Sequence, residues 1–125
     1  MHCYNYTIDP IAKGRPRFNG KWAYTPKSTR ENALEIATLT ISQADGKKPL
    51  EGPLKLNVTF FLKAPKRPKH KKYPIVRPDI DNYLKQYLDA VQGIIFKDDS
   101  QIVHVECIKE YATSGSIKAV FYELK

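Results

Sequence analysis

The chain is poor in the residues that build sulfur-bound metal sites and disulfide frameworks. Its 125 residues include two cysteines, Cys3 and Cys107, and three histidines, His2, His70 and His104. No spacing among them resembles a tetrahedral zinc site, and each cysteine lies in an apolar or alternating stretch that reads as a buried thiol. Zinc is therefore not expected. Long apolar runs are missing too. None approaches the roughly 18 residues of a membrane span, and no signal peptide opens the chain. A cytoplasmic protein without membrane contacts is the expectation. Repeats, low-complexity tracts and linkers are also absent, so residues 1–125 are expected to form a single domain.

Acidic residues are scarce. There are 13 against 21 lysines and arginines, for a formal net charge of +8. The imbalance is local. Lys13, Arg15, Arg17, Lys21, Lys27 and Arg30 follow one another with no acid between them, as do Lys63, Lys66, Arg67, Lys69, Lys71, Lys72 and Arg77. Two such runs point to a polyanionic partner, and nucleic acid is favoured over membrane because no basic amphipathic helix is present. A merely solubilising surface is the plainer alternative.

Residue patterns predict the order strand, hairpin, helix, strand, helix, strand, strand, which is an α+β class with a mixed or antiparallel sheet and two main helices packed on it. Cys3 to Ile8 reads as the first strand. Asn19-Gly20 suits the two central positions of a hairpin turn and would stiffen a basic arm. A helix follows, with Thr25-Pro26 or the Ser28–Glu31 capping box at its start and Leu34, Ala37, Ile41 and Ala44 on its apolar face. Leu54, Leu56, Val58, Phe60 and Leu62 alternate with residues of the opposite face, as a half-buried strand requires. Four prolines place residues 63–78 in a surface loop. A second helix spans Asp81 to Gln92, with Tyr83, Leu84, Tyr87, Leu88 and Val91 inward and Gly93 at its end. Residues 102–111 and 117–124 form the last strands, joined as a hairpin through Thr113-Ser114-Gly115.

Against the basic background, acids gather between residues 79 and 99. Asp79 and Asp81 flank the start of the second helix, and Asp98 and Asp99 lie in the turn after it. The two groups can converge if residues 93–98 run back along a helix about 18 Å long. Carboxylates without histidine or cysteine companions suit Mg²⁺ or Mn²⁺, ions that accept phosphate oxygens and activate water. Lys85 lies one turn beyond Asp81, where an ammonium can neutralise charge developing on phosphorus or the leaving oxygen. The residues thus read as a metal-dependent phosphodiesterase acting on nucleic acid. Each acid also has a plain account: a helix cap, an ion pair with Lys85, or a turn.

Arg77-Pro78-Asp79-Ile80-Asp81-Asn82, Lys85, Asp89-Ala90 and Asp98-Asp99-Ser100-Gln101 together resemble the signature of the RusA-type Holliday-junction resolvases. Gly14-Arg-Pro-Arg17 and Tyr24-Thr-Pro-Lys27 are similar in style to that family's basic amino-terminal region. The resemblance implies that Asp79, Asp81 and Asp99 hold Mg²⁺, with Mn²⁺ able to substitute, and that Lys85 assists catalysis. The family has a basic residue just before the first Asp in some members; here Pro78 intervenes and Arg77 is one place earlier. The resemblance further implies a homodimer that resolves four-way DNA junctions by paired symmetric nicks, in recombination and repair. Arg15, Arg17, Lys66, Arg67, Lys69, Lys71, Lys72 and Arg77 are the expected phosphate contacts. A non-catalytic basic nucleic-acid-binding module is the competing reading. A restriction-type nuclease is disfavoured, because Glu106 is followed by Cys107 and Ile108 where a Glu-x-Lys element is needed.

Overall fold

Alternating apolar residues in the middle of the chain form the strand around which everything else is arranged. The structure, a computed structural model, describes residues 1–14 and 27–125 in full and only the backbone of 17–19 and 22–24. The elements are β1 (His2–Tyr6), β2 (Arg17–Asn19), β3 (Trp22–Tyr24), α1 (Lys27–Ala44), β4 (Leu54–Lys63), α2 (Ile80–Val91), β5 (Ile102–Ala112) and β6 (Ser116–Glu123). A 3₁₀ turn, Asp99–Gln101, precedes β5. The main sheet has the order β1-β6-β4-β5, and β2 and β3 form a separate antiparallel ribbon. This is the expected α+β arrangement.

Leu54, Leu56, Val58 and Phe60 of β4 are all buried and face the helices. Phe60 stacks on Tyr83 of α2, and Tyr87 stacks on Phe121 of β6. These aromatic contacts fix α2 across the sheet. Tyr83, Tyr87 and Val91 of α2 are buried, as the period of 3.6 predicts. Gly93 follows at φ 87, a left-handed conformation that glycine adopts without strain.

Four details differ from the sequence reading. β5 and β6 are not a hairpin: β5 runs parallel to β4 on one side, and β6 runs antiparallel to β4 on the other. Residues 113–115 step across the end of β4, because β4 offers a hydrogen-bonding edge on each side. Asn19 pairs with Trp22 and so belongs to β2 rather than to the turn, and Gly20 lies outside the described residues. Ser28 and Glu31 lie within α1, so they are not its cap, and the proposed Thr25-Pro26 start lies outside the described residues. Finally, α1 buries Thr29, Asn32, Ile36, Thr40 and Ala44, while Leu34 and Ile41 are 68% and 60% exposed. Hydrogen bonds make this polar inner face tolerable. Thr40 donates to the Ile36 carbonyl at 2.6 Å and meets the Tyr6 hydroxyl at 2.8 Å. Gln86 of α2 donates to the Thr29 carbonyl and to Asn32 Oδ1.

Candidate metal centre and nucleic-acid interface

The start of α2 carries two exposed carboxylates, Asp79 and Asp81. Asp79 is the N-cap residue, in extended conformation, and its side chain makes no capping bond. Asp81 sits in the first turn. Neither takes part in an ion pair or a side-chain hydrogen bond among the described residues. Lys85 does not pair with Asp81; it lies 3.9 Å from Asp89, which Lys13 also approaches at 3.2 Å. Asp89 is thereby occupied, whereas Asp79 and Asp81 keep their oxygens for a ligand. Arg77, Pro78, Asp79 and Asn82 line an open cavity of about 400 Å³ beside them.

Two basic segments meet at this end of α2. Lys13 donates its backbone N–H to the Asn82 carbonyl at 2.9 Å, which roots the arm carrying β2 and β3 beside Asn82. Residues 64–78 run directly into Asp79 and are tied to the end of β5. Tyr111 donates its backbone N–H to the Lys72 carbonyl, and Lys72 lies 3.7 Å from Glu110. The Lys109 ammonium donates to the Val76 and Pro78 carbonyls at 2.8 and 3.0 Å, on either side of the cis Arg77–Pro78 peptide. Within the loop, His70 Nδ1 accepts the N–H groups of Lys72 and Tyr73, and its ring stacks on Tyr73. Lys66, Arg67, Lys69, Lys71, Lys72 and Arg77 are all exposed. Arg15 and the side chain of Arg17 lie outside the described residues.

Asp98 and Asp99 are elsewhere. Asp99 donates its N–H to Gln92 Oε1 at 3.2 Å, so the turn sits against the C-terminal end of α2. Residues 93–98 do not run back along the helix. Gly93 donates to the Phe96 carbonyl and Leu50 to the Ile95 carbonyl, so the segment folds in place and its apolar residues Ile95 and Phe96 enter the core. The twelve residues of α2 put about 18 Å between Asp79 and this turn. Accordingly, no group of three or more acidic, histidine or cysteine side chains close enough to hold a metal is found among the described residues.

The two acids of the turn differ. Asp98 accepts the Ser100 N–H at 3.1 Å and caps the 3₁₀ turn, and this bond holds its carboxyl below the usual range. The Asp99 carboxylate caps no backbone N–H of the turn and lies against the Asp98 side chain. Gln101 makes the turn rigid: its Oε1 accepts from Lys97 and Asp98, and its Nε2 donates to the Leu50 and Gly52 carbonyls. The sequence contains Gln101 but not this fourfold role, and Lys109 gave no signal at all.

A carboxylate pair at an open helix end, flanked by basic segments, is a donor set for a hard divalent cation. Residues 7–119 match the family model described as Endodeoxyribonuclease RusA. The chain is 29% identical over 140 residues to an uncharacterized protein, YqaN, of Bacillus subtilis (strain 168), covering 99% of both chains. It is 40% identical over 58 residues to a crossover junction endodeoxyribonuclease rusA of Lactococcus phage r1t, covering 46% of this chain and 44% of that one.

Proposed function

Because this chain belongs to the Endodeoxyribonuclease RusA family, we propose that it is a Mg²⁺-dependent endonuclease that resolves four-way DNA junctions by paired symmetric nicks. The observation that carries this reading is that the basic loop and Lys13, at the root of the basic arm, meet the helix end where Asp79 and Asp81 have no side-chain partner among the described residues. The basic segments hold phosphates, and the carboxylates fit a cation that keeps several waters and takes phosphate oxygens as its remaining ligands. A bound Mg²⁺ supplies Lewis acidity and a water of lowered pKa. Asp79 and Asp81 are the residues that would hold it. Asn82 donates its backbone N–H to the Asp79 carbonyl, and Lys85 is poised to place its ammonium near charge building on the scissile phosphate. Arg77 and the loop lysines position the backbone.

A third carboxylate from the same chain does not fit this centre, since Asp99 is a helix length away. The reading therefore includes a homodimer in which Asp99 comes from the second copy. Twofold symmetry then supplies two equivalent sites, as two symmetric nicks require.

The test is cleavage of an end-labelled four-way junction beside its linear duplex, with Mg²⁺, Mn²⁺ or EDTA. Paired nicks near the crossover, confined to the junction and lost with EDTA or in Asp81→Asn, are expected. Salt-sensitive junction binding without cleavage in either metal would leave a binding module instead.

A further inference from the structure

Asp89 has no part in the proposed metal centre, yet it is the acid of α2 with partners. Its Oδ2 receives the Lys13 ammonium at 3.2 Å and stands 3.9 Å from that of Lys85. Lys13 is held to α2 a second time, by its backbone N–H on the Asn82 carbonyl. Asn82, Lys85 and Asp89 follow one another at steps of three and four residues, so one face of the helix carries all three. Lys13 therefore bridges about two turns of that face, and one carboxylate serves two ammonium groups. Lys85 itself has an acid one turn away in either direction, Asp81 before it and Asp89 after it. In a lone helix the better pair has the acid on the N-terminal side, which here is Asp81. The structure shows the other choice: among the described residues Lys85 has its ion pair with Asp89, and Asp81 has none. The choice has a chemical consequence. An ammonium on Asp81 would occupy the carboxylate and place a positive charge where a divalent cation is to bind.

We propose that Asp89 is a positioning residue: by holding the Lys85 ammonium one turn further along α2, it keeps Asp81 open to the cation. The inference rests on the reading of Asp79 and Asp81 as metal ligands. A solvent-exposed pair of this kind adds little to stability, so its effect is one of direction. Without the Asp89 charge, Lys13 and Lys85 are two like charges with no anion between them. The remaining acid one turn from Lys85 is then Asp81, and the ammonium competes with the metal for it.

Mn²⁺ binding in the absence of DNA, followed by electron paramagnetic resonance of the free ion, tests this without recourse to cleavage. Asp81→Asn identifies the ion that belongs to the centre. For that ion, Asp89→Asn is expected to weaken binding about three- to fivefold, the strength of one exposed ion pair, and Asp89→Glu to restore it. The decisive comparison is the double-mutant cycle with Lys85→Met. In the Lys85→Met background Asp89→Asn should have no further effect, because the competing ammonium is gone. Equal weakening with and without Lys85 would overturn the proposal, since a distant charge or a purely structural role acts in both backgrounds alike. Lys13→Met keeps the question open to refutation should Asp89→Asn not fold. It leaves Asp89 to Lys85 alone, so Mn²⁺ affinity should hold; a severalfold loss would show that the root of the arm governs the centre, and would overturn the role given to Lys85. If wild type and Asp81→Asn bind Mn²⁺ alike, the metal reading itself fails and takes this inference with it. A site that Asp81→Asn removes but Asp89→Asn leaves intact refutes the inference alone.

Discussion

Asp98 and Asp99 are adjacent and chemically identical, yet their surroundings assign them different work. The Ser100 N–H favours the ionised form of Asp98 and lowers its pKa from the ordinary 3.8. Its contribution to stability is thus present at neutral pH and fades only as the pH falls through that lowered value. Asp99→Asn is expected to abolish junction cleavage with an unchanged melting curve, whereas Asp98→Asn should lower the melting temperature and retain cleavage. Lys109 acts on Asp79 through the backbone. Lys109→Met should raise the Mg²⁺ concentration for half-maximal cleavage about tenfold and leave junction affinity nearly constant, and Lys109→Arg should restore most of the loss. A metal titration of cleavage under single-turnover conditions separates these outcomes. Asp79, Asp81, Lys85 and the Asp98–Asp99 pair were legible in the sequence because carboxylates are rare in this chain and recur at a recognisable spacing. Lys109 was not, since one lysine among many on a strand acquires a role only from the loop folded over it.

At the scale of elements, α1 and α2 show how far an apolar pattern carries. In α2 the aromatic and aliphatic residues meet the sheet, and the pattern is read correctly. In α1 the expected face is reversed in part, because the helix packs on Tyr6 and Gln86 through hydroxyl and amide groups. The Tyr6 hydroxyl sits between Thr40 at 2.8 Å and the Tyr87 hydroxyl at 3.0 Å, and burial pushes its pKa up to about 12. Tyr6→Phe is expected to cost about 1–3 kcal/mol in urea unfolding, because it strips the buried Tyr87 hydroxyl of its partner. Spectrophotometric titration should show Tyr6 and Tyr87 ionising only above the range of ordinary tyrosines. The crossing between β5 and β6 also depends on one residue. A Cβ at Gly115 would run into the Asp9 carboxylate and lie 2.9 Å from the Asp9 Cα, so Gly115→Ala should displace the segment leading to the arm.

For the whole molecule, a net charge of +8 governs association more than folding. The loop from residue 64 to 78 is anchored at Tyr111, Glu110 and Lys109, so its lysines are presented on a fixed frame. Neutralising Lys69, Lys71 and Lys72 should flatten the slope of log affinity against log salt by about 0.9 for each phosphate that is no longer neutralised. Fluorescence anisotropy with a labelled junction between low and physiological salt measures it, and an unchanged slope would place the loop off the DNA. Cys107 is half-buried on the same β5 strand, and burial raises its thiol to about 11. No helix among the described residues is long and apolar enough to cross a membrane.

Local chemistry alone determined much of this protein. The period of two in β4, the period of 3.6 in α2, the breaks at proline and glycine, the α+β class and the acidic motif all depend on neighbours in the chain. The partners of β5 and β6, the inner face of α1 and the separation of Asp99 from Asp79 were decided only by the tertiary structure. Each depends on which edges and faces meet across the chain, and hydrogen-bonding edges carry no residue-type signature. The acids of the motif are close in sequence, yet α2 is a rigid rod that holds its ends apart. The residues of one sequence signature therefore stand, in the folded protomer, at opposite ends of α2.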